Sequence, residues 1–100
     1  MSSNFPYQQN AYPGYNRIKK KFPSLLRKKL NEVEDEIANN PSLGEEKIGD
    51  LKGVRIYKFK VFDQQILLAY QVDKDKEAVI FAVVGGHENF YRDLKHYLKK

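Results

Sequence analysis

The chain contains no cysteine and no tryptophan among its 100 residues. The absence of cysteine excludes disulfides, cysteine-ligated zinc, iron–sulfur clusters and a thiol nucleophile. No apolar stretch approaches the roughly 20 residues of a membrane-spanning helix, and the first residues lack the basic and apolar regions of a signal peptide. From these absences we expect a cytoplasmic protein without a membrane partner.

The composition is that of an ordinary globular protein. Apolar residues make up 41% of the chain and charged residues 31%, and the length suits one domain with a single core. The net charge is +5. An excess of positive charge on a small domain favours a polyanionic partner.

The positive charge is concentrated in two segments. Residues 17–30 contain seven basic residues and no acidic residue, and residues 51–60 contain four basic residues and no acidic residue. Between them, residues 31–50 contain seven acidic residues and one lysine. A basic run is ordinarily the solvated face of a helix, and it can also form an electrostatic surface for nucleic acid.

Hydrophobic periodicity predicts two helices near the N-terminus. Residues 1–14 show no period and are predicted to be a flexible or extended arm, so that residues 15–100 form the single domain. Residues 15–22 and 23–39 show helical spacing, and Pro23 separates the two helices of this hairpin. The apolar stripe of the second helix consists of Leu26, Leu30, Val33 and Ile37.

The rest of the chain changes from helical to strand periodicity. Residues 53–61 alternate between apolar and polar, and residues 65–72 and 77–84 are mostly apolar, as in buried strands. A short helix is predicted at the C-terminus. The order of elements predicts an α+β fold with a helical hairpin packed on a small antiparallel β-sheet.

Two lysines lie on one face of the first predicted strand. Lys58 and Lys60 are two residues apart, so their side chains point to the same side as Val54 and Ile56. One interpretation is a strand that runs out of the core into solvent. The other is a ridge that contacts phosphate, to which the nearby Arg55 would add.

Histidine and acidic residues supply the other candidates for chemistry. His87 follows a buried strand and two glycines, and the unperturbed pKa of an imidazole, about 6.5, suits proton transfer. Tyr91 lies four residues later, on the same face if a helix begins at His87. A helix-capping role for His87 is the alternative. Three carboxylates before the first predicted strand, Glu45, Glu46 and Asp50, either supply an acid/base pair or are solvated in a loop. No spacing typical of metal ligands occurs.

Four stretches together resemble the RelE/ParE superfamily of bacterial type II toxins. They are NPSLGE at 40–45, GDLKGVRIYKFK at 49–60, QILLAY at 65–70 and GGHENFYRDL at 85–94. The resemblance runs from about Tyr15 to the C-terminus. It implies a helical hairpin on a small antiparallel sheet, as the periodicity independently predicts.

The resemblance implies a toxin that cuts mRNA on the ribosome by attack of the RNA 2′-hydroxyl on the adjacent phosphate. Lys58 and Lys60 match two lysines of the RelE strand. His87 and Tyr91 resemble the YafQ branch, in which a histidine after a glycine turn transfers a proton. The catalytic residues predicted in this way are Lys58, Lys60, His87 and Tyr91. The residues predicted to contact RNA are Lys19, Lys20, Lys21, Lys52, Arg55 and Arg92.

The sequence also departs from the RelE pattern. Leu67 stands where RelE carries an arginine, and His87 and Asn89 stand where RelE carries arginines after the glycine turn. The partners implied are a cognate antitoxin that forms a hetero-oligomer with the toxin, the ribosome and mRNA, with no cofactor and no metal. Inhibition of DNA gyrase, as by ParE toxins, and non-catalytic binding are the alternative functions.

Overall fold

A computed structural model describes residues 6–49 and 53–98 of the chain. It consists of a five-stranded sheet, a helical hairpin on one face and a third helix on the other. The elements are β1 (Gln8–Ala11), α1 (Pro13–Lys20), α2 (Ser24–Asn39), β2 (Glu45–Glu46), β3 (Arg55–Val61), β4 (Gln64–Asp73), β5 (Ala78–Gly86) and α3 (His87–Leu98). The predicted α+β fold, with its helical hairpin and C-terminal helix, is confirmed.

The strand order is β1-β5-β4-β3-β2. The β3–β4–β5 meander is antiparallel, as expected, but β1 pairs with β5 in parallel, with Gln8 opposite Ala78 and Ala11 opposite Phe81. The sheet is therefore mixed rather than purely antiparallel. The segment predicted to be an arm contributes an edge strand, and α1 begins at Pro13, two residues before the predicted start of the domain.

Alternation along the strands divides the core into two clusters, one on each face. The face under α1 and α2 includes Tyr15, Leu30, Val33, Ile37, Phe59, Leu68, Tyr70 and Phe81. The face under α3 includes Val54, Ile56, Leu67, Ala69, Val83, Phe90 and Leu94. Burial of these side chains on both faces is the main force that holds the helices against the sheet.

A buried polar contact joins α1 to α2. Glu34 is only 7% exposed and accepts a hydrogen bond from the Tyr15 hydroxyl at 2.6 Å. Lys19 Nζ donates to both Glu34 carboxylate oxygens, at 2.9 and 3.0 Å. Burial raises the pKa of Tyr15 strongly, and the neighbouring Glu34 charge raises it further. The phenol is therefore a neutral donor, and the carboxylate is fully paired.

The β3–β4 hairpin turns through two residues with left-handed backbone conformations. Phe62 has φ 51° and Asp63 has φ 66°, between the paired residues Val61 and Gln64. This is the geometry of a type I′ turn, which favours Asn-Gly. A left-handed conformation costs a residue with a side chain about 1 to 2 kcal/mol, so phenylalanine is an unfavourable choice here.

Among the described residues, no helix is long and apolar enough to cross a bilayer. The same residues contain no cluster of three histidine or carboxylate side chains suited to a metal ion.

Candidate active site

Lys58 and Lys60 project from β3 on the α3 side of the sheet, and both are exposed. Ile56, two residues before Lys58, is buried on that same face. The alternation of the strand therefore places the lysines where the sequence predicts. Helix α3 packs on β4 and β5, and the β3 side chains that follow Ile56 on this face are the two lysines.

His87 is the first residue of α3 and follows β5 directly. Its ring lies edge-on to Tyr91, with ring centroids 5.7 Å apart and an interplanar angle of 74°. Phe90 is 1% exposed and anchors the first turn of α3 on the core, and it contacts Tyr91 at 5.2 Å between centroids. The shared helical face predicted for His87 and Tyr91 is confirmed, and both rings sit on a fixed helical turn.

The strand register brings the lysines and the histidine towards each other. Lys58 is opposite Leu67, which is opposite Gly85, and Lys60 is opposite Gln65. Ile66 pairs with Gly86, the last residue of β5, and His87 follows it as the first residue of α3. Two strand spacings, about 10 Å, separate β3 from β5. Long lysine side chains can bridge much of that gap.

The two-residue strand β2 adds a charged pair to the same face. Glu45 is opposite Ile56 on β3, and directly opposed residues share a face. Lys47 Nζ lies 3.0 Å from Glu45 Oε1. The hydrogen bond from Lys47 lowers the pKa of Glu45, and the charges of Lys47 and Lys58 lower it further. A carboxylate that is ionised at neutral pH therefore lies near Lys58.

Lys47 is a residue of this region that the sequence did not single out. Its pKa is raised mainly by the hydrogen bond to Glu45, and the nearby phenol of Tyr91 also raises it. Lys47 therefore lies near Tyr91 of α3. A two-residue strand has no periodicity, and only the pairing of β2 with β3 brings Lys47 here.

Arg55 lies behind the site rather than in it. It is adjacent in sequence to Ile56 and points to the opposite face of β3 from Lys58. Its Nη1 donates to the Gly44 carbonyl oxygen at 2.6 Å, and its Nη2 lies 3.7 Å from Glu46 Oε1. Arg55 therefore holds β2 against β3.

Tyr70 supports the same loop from the core. Its hydroxyl donates to the Pro41 carbonyl oxygen at 2.6 Å and accepts from the Gly44 amide at 2.8 Å. Burial raises the pKa of Tyr70, while the Gly44 hydrogen bond opposes that rise. The phenol fixes the chain immediately before Glu45.

Replacement of Gly44 by alanine is expected to destabilise the fold by about 1 to 3 kcal/mol through overpacking. A Cβ atom at Gly44 would lie 2.8 Å from Tyr70 Cε1 and 3.1 Å from the carbonyl carbon of Ile56. Denaturant unfolding measures the loss. Gly14→Ala is the control, since its Cβ would meet only the end of the Arg17 side chain at 3.8 Å. Equal stabilities of Gly44→Ala and the wild type would contradict the close contact.

The other residues predicted to contact RNA are not brought together with the lysines of β3. Lys19 is engaged by Glu34, and Lys20 and Lys21 are exposed at the end of α1, beyond the opposite face of the sheet. Arg92 is exposed on α3, next to Tyr91. Lys52 lies outside the described residues.

Comparison with known families gives a match over most of the chain. The family model described as the ParE-like toxin of type II bacterial toxin–antitoxin systems matches residues 10–95. No curated protein sequence matches the chain significantly.

Several solved structures share the fold. One is from the RelBE2 toxin–antitoxin complex of Mycobacterium tuberculosis, with a TM-score of 0.75 and 17% identity over 87% of this chain and 98% of that chain. Another is a double mutant of E. coli RelE in the free state, with a TM-score of 0.74 and 22% identity over 95% of this chain and 97% of that chain. The intact E. coli RelBE complex gives a TM-score of 0.67 and 24% identity over 82% of this chain and 98% of that chain.

Proposed function

The chain belongs to the ParE-like toxins of type II bacterial toxin–antitoxin systems, and we propose that it acts as an endoribonuclease that cuts mRNA on the ribosome. The observation that carries the proposal is the arrangement of Lys58, Lys60 and His87. Lys58 and Lys60 are exposed on β3 beyond the buried Ile56, and His87 is exposed where β5 passes into α3, two strands away. A gyrase inhibitor that acts by binding alone does not need this combination.

The lysines stabilise charge on the phosphate that reacts. When the 2′-hydroxyl oxygen attacks phosphorus, negative charge grows on the non-bridging oxygens. Two ammonium groups fixed on a strand need little reorganisation at that moment, which is why preorganised cations lower such a barrier. Lys47 is paired with Glu45 and therefore adds little net positive charge to this face.

Two protons move in this reaction. The 2′-hydroxyl loses its proton as the new O–P bond forms, and the bond from phosphorus to the 5′-oxygen breaks. The first proton passes to solvent water, because Glu45 is level with Ile56, four positions along β3 from Lys60, and is hydrogen-bonded to Lys47. Protonated His87 donates a proton to the 5′-oxygen as it leaves. The products are a 2′,3′-cyclic phosphate and a 5′-hydroxyl, and the edge contact with Tyr91 orients the His87 ring.

The helical hairpin supplies a second basic surface. Arg17, Lys20, Lys21 and Lys28 are exposed, and all four belong to the basic segment 17–30. They lie on the side of the sheet covered by α1 and α2, opposite the side that carries Lys58. A surface of this kind suits the phosphates of ribosomal RNA and would raise the rate of association. Several of the matched structures are toxin–antitoxin complexes, and a cognate antitoxin that forms a hetero-oligomer with this chain is expected.

Transcript mapping tests the proposal. Expression without antitoxin should produce new mRNA 5′ ends within codons. The double variant Lys58→Gln/Lys60→Gln is expected to lower that cleavage at least about 100-fold, the effect of losing a preorganised charge-stabilising contact. Its control is Lys74→Gln/Lys76→Gln, which removes the same charge at the β4–β5 turn, far from the site.

Two results would overturn the assignment. Cleavage by the double variant at the wild-type rate would remove the lysines from the mechanism. Intact transcripts accompanied by DNA damage would favour gyrase as the target.

A further inference from the structure

The tip of the β3–β4 hairpin carries an exposed aromatic ring in a strained position. Phe62 is 79% exposed and belongs to neither of the two apolar clusters. Its φ of 51° is unfavourable for a bulky side chain, and the turn would form more readily with asparagine. Neither burial nor local backbone preference accounts for phenylalanine at this position.

The residues that flank Phe62 in the sequence are mostly polar, and one of them is basic. Lys60 is two residues before Phe62, and Gln64 and Gln65 follow the turn, all exposed. The one acid in the turn is Asp63, also exposed, so the tip itself is poorly suited to bind phosphate. An aromatic ring close to lysines is, in contrast, a typical platform for the bases of single-stranded RNA.

The position of the tip relates it to the proposed cleavage site. Lys60 and Gln65 form the next-to-last pair of the β3–β4 hairpin, and only the pair Val61–Gln64 lies between them and the turn. Phe62 is two residues beyond Lys60, about 7 Å along the chain direction. A nucleotide adjacent to a phosphate held by Lys60 is within reach of the ring.

We propose that Phe62 is a stacking platform for a nucleobase of single-stranded RNA beside the scissile phosphate. This inference rests on the proposed function and adds to it the contact that holds the RNA strand at the hairpin tip. The strained backbone is retained because an aromatic ring is needed there. A purely apolar protein partner is the competing occupant, and the experiments below distinguish the two.

Tryptophan fluorescence reports the stacking directly. The chain contains no tryptophan, so Phe62→Trp introduces a single tryptophan, which can be excited selectively at wavelengths longer than those that tyrosine absorbs. Titration with a single-stranded RNA oligonucleotide is expected to quench it. Asp75→Trp is the matched control, because Asp75 is exposed in the β4–β5 turn, at the opposite end of β4 from Phe62, and should show little quenching. No quenching of Phe62→Trp, or equal quenching of both variants, would overturn the proposal.

Affinity measurements separate aromatic from merely apolar contact. Phe62→Leu and Phe62→Asn are both expected to bind the oligonucleotide about 5- to 150-fold more weakly, the range for loss of one base–aromatic contact. Phe62→Asn should also unfold at a higher temperature than the wild type, since asparagine tolerates the left-handed conformation. Weaker binding by a more stable protein cannot be due to misfolding. Wild-type affinity in Phe62→Leu or Phe62→Asn would refute the stacking role.

Binding and cleavage are scored separately, so the two proposals can fail independently. Quenching and weakened binding without any RNA cleavage by the wild type would refute the endoribonuclease and keep the platform. If the wild type cleaves RNA, and Phe62→Asn binds and cleaves it equally well, the platform is refuted and the endoribonuclease is kept.

Discussion

The His87→Ala variant is expected to cleave mRNA about 100- to 10,000-fold more slowly than the wild type, the usual contribution of general acid–base catalysis. His87 is exposed, and Tyr91 is the aromatic side chain in edge contact with it. Phe90 and Leu94, which hold α3 on the sheet, are buried and unchanged by the substitution. The loss should therefore appear in the reaction rate with little effect on stability.

Single-turnover cleavage of mRNA on purified ribosomes measures this loss. His96→Ala is the matched control, since it removes the other histidine of the chain from the same helix. A substrate with sulfur in place of the scissile 5′-oxygen gives a leaving group that needs no proton. With this substrate, the His87→Ala variant should cleave at nearly the rate of the wild type. A slow reaction that sulfur does not restore would show that His87 acts in some way other than as the acid.

The Glu34→Ala variant is expected to lose about 3 kcal/mol of unfolding free energy, in line with the removal of one partner from a buried ion pair. The substitution leaves the hydroxyl of Tyr15, which is 1% exposed, without its acceptor. It also leaves the Lys19 ammonium without its partner. The Lys19 side chain is 22% exposed, so partial contact with water limits the penalty.

Denaturant unfolding of matched variants tests that expectation. Glu32→Ala removes an acid from the same helix. The Glu32 side chain is 60% exposed, and its Oε1 lies 3.9 Å from Lys29 Nζ. Its loss is expected to change the free energy of unfolding by less than about 0.5 kcal/mol. Glu34→Gln keeps an acceptor for Tyr15 and should fall between the two. A Glu34→Ala protein as stable as Glu32→Ala would show that the buried network contributes nothing to the fold.

Periodicity predicted the parts of the molecule that are governed by burial. The stripe of Leu30, Val33 and Ile37 is buried against the sheet as its helical spacing indicates. The period of β3 likewise placed Lys58 and Lys60 together on one face. A helix or strand with one buried face carries that information in its own residues.

Features that depend on distant pairing could not be derived in this way. The residues of β1, Gln8–Ala11, show no apolar alternation, and their strand conformation comes from parallel pairing with β5. Lys47 reaches the site through the pairing of β2 with β3. Lys19 looked like a free cation for RNA, whereas packing of α1 on α2 pairs it with Glu34.

Because β2 is short, the lysines of β3 also affect how readily the protein associates with itself. In the described part of the chain, β2 covers β3 only at Arg55 and Ile56, which leaves the backbone from Tyr57 onward as an open sheet edge. Open edges invite pairing with other copies of a protein, and lysines on such a strand are a common protection against aggregation. Solubility therefore restricts the same two positions as the proposed chemistry, and an apolar residue at Lys58 or Lys60 would promote self-association.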